Sequence, residues 1–175
     1  MKINIDKIEK ATGYKVKRNF SCIGFDTAQR TGIAFIQTKK KVIQLDFIFL
    51  EFKDIKDTKK IYATMVKTFE NLLRGEDKAI IEQVFVGFNR KGSVELARYG
   101  SFAIAECIKK DIDYDLVSAV SCRAKLKIDA RKFGKGKAKK SVAYWLKEKL
   151  NIELHDEDIS DAICLALLGI LEGAV

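Results

Sequence analysis

Glu82 stands inside an apolar run, Ala79-Ile80-Ile81-Glu82-Gln83-Val84-Phe85, and no other feature of this 175-residue chain narrows its possible folds as much. A carboxylate in such a run must be neutralised or put to use, because burying it unpaired costs several kcal/mol. Asp26 repeats the situation at the end of Cys22-Ile23-Gly24-Phe25. Any acceptable fold must therefore open both strand ends onto something polar. In open α/β sheets functional groups gather where strands end, and a β-β-β-α-β order allows the first and fourth strands to lie side by side. Asp26 and Glu82 are then expected to converge.

The rest of the chain supports that order. Runs rich in Ile, Phe and Val at 21–25, 32–38 and 42–52 read as an antiparallel meander. Ile61, Met65, Phe69, Leu72 and Leu73 recur at helical spacing behind Asp57-Thr58, which supplies an N-cap, and the helix is expected to end near Gly75. A strand at 79–84, a loop at 87–92, a helix at 93–109, a strand at 115–120, a basic helical turn at 122–126 and helices at 138–150 and 158–171 follow. The fold class is α/β, a mixed five-stranded sheet flanked by helices. Residues 20–175 make one domain of ordinary size, and residues 1–19 are an N-terminal extension expected to pack loosely on the surface.

A second set of acids opens the last helix, in His155-Asp156-Glu157-Asp158-Ile159-Ser160-Asp161. Asp158 and Asp161 are three residues apart and share a face. Favourable interaction with the helix dipole, or an N-cap at Asp158, accounts for residues 156–158. It does not account for Asp161, a turn inside the helix among apolar neighbours. Acids brought together from three parts of the chain repel one another unless divalent cations neutralise them, and oxygen-only ligands favour Mg²⁺ or Mn²⁺ over zinc.

Charge supplies the substrate class. Between residues 123 and 149 there are eleven Lys/Arg against two acids, while the remaining 22 bases and 22 acids balance, so the whole net charge of +9 sits in one segment. A solvated lysine-rich face is the ordinary alternative, but a concentrated basic stretch is also the footprint of a polyanion binder. Joined to an acidic, metal-binding site, it points to phosphodiester hydrolysis with two metal ions.

In order and spacing, Cys22-Ile23-Gly24-Phe25-Asp26 with Thr31-Gly32-Ile33-Ala34, then Ile81-Glu82-Gln83-Val84-Phe85, Gly134-Lys135-Gly136-Lys137-Ala138-Lys139 and Asp158-Ile159-Ser160-Asp161-Ala162 resemble the RuvC-type Holliday junction resolvases. The resemblance spans about residues 21–168. It implies an RNase H-like fold, a homodimer, and Mg²⁺-dependent nicking of two strands at a four-way DNA junction, with two Mg²⁺ ions per site and Mn²⁺ as a substitute. It assigns the catalytic, metal-holding positions to Asp26, Glu82, Asp158 and Asp161, and the aromatic that enters the junction to Phe85. DNA contacts are expected from Arg123, Lys125, Arg131, Lys132, Lys135, Lys137, Lys139 and Lys140. Thr27-Ala28-Gln29 stands where that family usually has a Pro-Gly turn.

The same residues fit an RNase H-like nuclease acting on flaps, forks or RNA-containing junctions, and a non-catalytic branched-DNA-binding module. The module gains nothing from clustered repelling acids. His155 is the single histidine, either a neighbour of the acidic site or a solvated side chain. Four well-separated cysteines read as buried free thiols of a reducing compartment. The first twenty residues contain no apolar run longer than one or two residues, as a signal peptide would need, no stretch approaches the roughly 18 apolar residues of a membrane span, and neither a membrane nor a small-molecule substrate is expected. The absence of proline and abundance of Lys, Ile and Phe suit an AT-rich genome such as a phage, placing the protein in a bacterial or phage-infected host cytosol. The helix at 93–109 carries Ala97, Gly100, Ala103, Ile104 and Cys107 near one stripe, suited either to pairing of two copies or to packing on the sheet.

Overall fold

In a computed structural model the chain forms, in order, β1 (Lys2–Asn4), α1 (Ile5–Thr12), β2 (Ser21–Asp26), β3 (Arg30–Lys39), β4 (Val42–Glu51), α2 (Thr58–Leu72), β5 (Lys78–Glu82), α3 (Arg90–Lys109), β6 (Asp113–Val117), α4 (Ala119–Lys125), α5 (Ala138–Trp145) and α6 (Glu157–Gly169). A π turn, Leu146–Leu150, extends α5. Every residue is described except 29, 54, 85–89 and 155, with the backbone alone at 90 and 91. Phe85, His155 and residues 87–89 of the loop expected at 87–92 therefore lie outside the described residues, and residues 90–92 open α3 instead of closing that loop.

The strands make one mixed sheet in the order β1-β4-β3-β2-β5-β6. β2 is buried from Cys22 to Asp26, as a central strand must be, and pairs antiparallel with β3 and parallel with β5. β5 pairs parallel with β6, closing the far side. β4 alternates at its start, with Ile43 and Leu45 inward and Val42, Gln44 and Asp46 outward, because only one of its faces meets the core.

The sheet divides the interior in two. One face carries Ile23, Phe25, Ile33, Ala79 and Ile81 against Ile61, Met65 and Phe69 of α2 and Tyr99, Ala103 and Cys107 of α3. The other carries Cys22, Ala34, Ile36, Ile43, Leu45 and Ile80 against α6, with Val142, Trp145 and Leu146 packed outside. Because α6 lies between sheet and outer helices, every residue from Ile159 to Gly169 is buried. Burial all round explains its continuously apolar sequence.

Three expectations change. The sheet has six strands, not five, because residues 2–4 pair with 42–44 as β1. The same segment is not a loose tail: Ile3 is nearly buried and Ile5 and Ile8 are fully so, all within the α6-side core. Asn4 caps α1 by accepting from the Asp6 N–H, and Gly13 ends it at φ 81°, a conformation costly for a side-chain-bearing residue. The last helix also begins differently. Asp156, not Asp158, is the N-cap, its carboxylate accepting from the backbone N–H groups of Asp158 and Ile159. Asp57 caps α2 as its sequence suggests.

Candidate active site

Asp26 and Glu82 end adjacent parallel strands, one step beyond the paired residues Phe25 and Ile81. Their side chains come close enough to interact, and two neighbouring carboxyls disfavour each other's charge. Burial, that contact and the Glu82 charge, with a smaller contribution from Asp161, hold the Asp26 carboxyl far above the usual carboxylate range.

The other two acids arrive on α6, and glycine brings that helix close enough. A Cβ on Gly24 of β2 would fall 2.3 Å from the Ala162 carbonyl oxygen, and one on Gly32 of β3 would fall 2.3 Å from that of Asp158. Only bare backbone permits this approach. Asp161 is 9% exposed, and its carboxyl is raised by burial, an effect that Arg123 and Lys139 oppose. Arg123 Nη2 lies 3.7 Å and Lys139 Nζ 3.9 Å from the Asp161 carboxylate.

Asp158 has two cations of its own. Lys139 Nζ donates to Oδ1 at 2.8 Å, and Arg30 Nη1 donates to Oδ2 at 3.4 Å. Arg30 also grips the Asp156 cap and stacks on Phe49, with its guanidinium 5.0 Å from the ring centroid. Burial works against the Lys139 charge, but the Asp158 hydrogen bond and the fields of Asp26, Asp158 and Asp161 outweigh it, and its pKa lies above the ordinary lysine value. This ammonium stands among the acids as a cation would.

Among the described residues no three His, Cys, Asp or Glu side chains form a ready-made metal cage. The Asp158 carboxylate is turned to Arg30 and Lys139 instead. The donor chemistry nonetheless fits a divalent cation: all four groups are carboxylates, the Asp26 carboxyl is pushed towards its neutral form by burial and by Glu82, and an ammonium answers Asp158.

The candidate DNA-binding residues separate into two groups. Arg123, 13% exposed at its side chain, points inward and lines a small cleft with Glu82, Cys122, Asp161 and Cys164. Lys125 donates to the Ala174 carbonyl, and Lys139 enters the acidic site. Arg131, Lys132, Lys135, Lys137 and Lys140 are exposed. Arg131 and Lys135 line a groove of about 540 Å³ with Val120, Arg123, Gly134 and Gly136. Lys132 lies 3.6 Å from the Tyr144 ring centroid. Arg30 was not singled out from sequence. The one signal pointing to it is a cation four residues beyond a strand-end acid.

Four antiparallel strands, the short β1 among them, continued by two parallel ones, with acids at the ends of the central parallel pair and a helix bearing further acids across them, define an RNase H-like fold with a carboxylate site. The chain belongs to the RuvC family: residues 22–168 match the family model described as crossover junction endodeoxyribonuclease RuvC. No curated protein sequence matches it. Among solved structures it is similar to Thermus thermophilus RuvC in complex with a Holliday junction substrate, with a TM-score of 0.68 and 12% identity over 85% of this chain and 90% of that one. A second T. thermophilus RuvC structure gives 0.66 and 12% identity over 87% and 98% of the two chains. The yeast mitochondrial Holliday junction resolvase Ydc2 gives 0.57 and 12% identity over 91% and 81%. The four cysteines are free and buried, and no helix among the described residues is long and apolar enough to cross a membrane.

Proposed function

We propose that this chain is a divalent-metal-dependent endonuclease that resolves four-way DNA junctions by paired nicks, with Asp26, Glu82, Asp158 and Asp161 as its metal-holding acids. The observation that carries this reading is the meeting of Asp26 and Glu82 on adjacent parallel strands, facing the α6 acids, in a member of the RuvC family. A basic groove beside the acids and a similar fold seen with a Holliday junction substrate support the choice of DNA.

Two Mg²⁺ ions, or Mn²⁺ in their place, would supply an activated water and a neutralised leaving oxygen. The chain's own groups do the rest. Asp26, held towards its neutral form by burial and by Glu82, must lose its proton before it can act as an anionic ligand. Arg30 holds Asp156 and Asp158 in place at the start of α6, so the ligand arrives pre-oriented. Lys139 surrenders Asp158 and is left beside the site, free to meet a phosphate. Arg131, Lys132, Lys135, Lys137 and Lys140 hold the DNA backbone, and Phe85 enters the junction. Residues 20–175 form the nuclease unit, and two nicks at a two-fold junction require a homodimer acting in the cytosol.

Labelled four-way junction, fork, flap and linear duplex, incubated with Mg²⁺ or EDTA, test the proposal. Mg²⁺-dependent paired nicking of the four-way junction is expected, and Glu82→Gln should reduce it by at least about 10²-fold while junction binding persists. Asp26→Asn and Asp161→Asn should behave alike. Preferential cutting of flaps or forks would replace the resolvase reading with that of a broader nuclease, and near wild-type turnover by Glu82→Gln would remove Glu82 from the site.

A further inference from the structure

Outside residues 123–149 the positive charge is not spread evenly in space. Residues 1–19 hold six Lys/Arg against two acids, and the β3–β4 turn is Lys39-Lys40-Lys41. The fold puts these together. Arg18 donates to the Lys40 carbonyl oxygen, and the Ile5 N–H donates to the Lys41 carbonyl oxygen. Glu9, one of the two acids, is already answered: it accepts from the Val16 N–H and pairs with Lys15 at 3.3 Å and Arg18 at 3.2 Å, and these contacts hold its carboxyl below the usual range. Lys2, Lys7, Lys10, Lys15, Arg18 and Lys39 to Lys41 are exposed.

This patch continues the basic groove at the active site. From Arg131 and Lys135 the surface passes to Lys132 and Tyr144, then to a second hollow of about 190 Å³ lined by Lys127, Lys132, Tyr144 and Lys149. Asp129 and Glu148 also line it, and the Asp129 carboxylate accepts from the Arg131 N–H. Lys127 then bridges to the N-terminal unit: a Cβ on Gly13 would fall 2.5 Å from its Nζ. α1 buries Ile5 and Ile8 in the same core as α6 and the π turn, so groove and patch share one side of the sheet.

The length of this path is set by β3. Arg30 at its start touches Asp158, and Lys39 at its end borders the basic turn. Ten residues at about 3.3 Å each place the two ends roughly 30 Å apart, which is about nine base pairs of duplex at 3.4 Å per base pair.

We infer that the N-terminal unit and the β3–β4 turn form a remote DNA-binding patch that grips one duplex arm of the junction about nine base pairs from the cleavage site. The inference rests on the proposed function and assigns residues 1–19 a role in it. A continuous polyanion leaving the groove meets the patch next along the same side, whereas a separate acidic protein has no reason to share that path.

The test measures the salt dependence of binding, in EDTA, to four-way junctions with hairpin-capped arms of about 7 or about 20 base pairs, either side of the nine base pairs estimated from strand rise. The variant is Lys10→Gln, Lys15→Gln, Lys40→Gln and Lys41→Gln together, and the control is Lys59→Gln, Lys60→Gln and Lys67→Gln on α2, across the sheet. On long arms the variant should flatten the slope of log K against log salt by about 2 to 4 units, since each phosphate contact contributes about 0.9. On short arms its slope should match that of the wild type, and the control should match on both. An unchanged long-arm slope, equal loss on both arm lengths, or equal loss in the control would overturn the patch. A linear duplex of about 20 base pairs separates the two claims: if wild type does not favour junction over duplex but the variant still loses slope on long duplex, the junction reading fails and the patch stands.

Discussion

At the Asp26 carboxyl the requirements of the proposed ligand and those of the fold conflict. Its burial and its contact with Glu82 favour the protonated form, so its native-state pKa lies above the unfolded value near 3.8. For a group raised in this way the native state holds its proton more tightly. The associated stability is fully present below the unfolded pKa and is lost as pH rises towards the folded one, at about 1.4 kcal/mol per pH unit. Asp26→Asn keeps the shape and a donor for Glu82 but does not ionise. In EDTA, thermal melts of the two proteins should therefore coincide near pH 4, and the Asn variant should melt several degrees higher by pH 8, although it does not cleave. A gap that does not grow with pH would contradict the burial argument. Arg30 shows the opposite limit of residue-scale reading. It is one cation among 33, and its partners Asp156 and Asp158 lie 126 and 128 positions away, so its place four residues beyond a strand-end acid says nothing of what it holds.

At the scale of elements, the site depends on one helix lying unusually close to two strands. Gly32 is the sharpest point of that contact, because a Cβ there would meet the Asp158 carbonyl oxygen at 2.3 Å and its carbonyl carbon at 2.6 Å, both backbone atoms. Gly32→Ala must push the start of α6 away from β3, at a cost of about 1–3 kcal/mol. Asp158 moves with it, so single-turnover nicking measured well below the melting temperature should fall by at least about 10-fold, a 1 Å misplacement being worth up to 10²-fold. Full activity in a destabilised but folded variant would show that the close approach serves stability alone. The elements themselves were largely legible from sequence, and for a physical reason. β2, β3 and α6 are apolar runs whose lengths and periods leave little choice, and the strand-end positions of Asp26 and Glu82 followed directly. β1 and α1 were not legible: Ile3, Ile5 and Ile8 suit a strand or a helix equally, and both occur, joined at Asn4. Their burial comes from pairing with Val42–Gln44 and packing beside the π turn, contacts that nineteen residues read alone do not contain.

For the whole molecule, the proposed function asks one site per chain to serve a junction that needs two nicks. The small-residue stripe on α3 does not supply a complete answer, because Gly100, Ala103 and Cys107 face the core while Ala97 is exposed and Ile104 half-buried. The uncovered apolar surface lies beside it. Val94 and Ile108 on α3, Leu116 on the edge strand β6 and Val120 on α4 are 50%, 65%, 44% and 74% exposed, and Ala97, Ile104 and Leu116 border a shared groove. Such a collection of exposed branched side chains on one flank is what an isologous contact buries. Ile108 and Leu116 form the part of this flank that lines neither the α4–α5 groove, which Val120 borders, nor the acids of α6, so a contact centred on them leaves Arg131 and Lys135 open to DNA. Sedimentation equilibrium at micromolar concentration should give about twice the 19.8 kDa chain mass. Ile108→Glu with Leu116→Glu, both at exposed positions, should give a folded monomer with an unchanged melting profile at low concentration. On a four-way junction that monomer should leave single nicks in place of the paired nicks made by the wild type, resolved by comparing denaturing with native gels. A wild-type monomer that still nicks both strands together would place the pairing of cuts in the DNA and not in the protein.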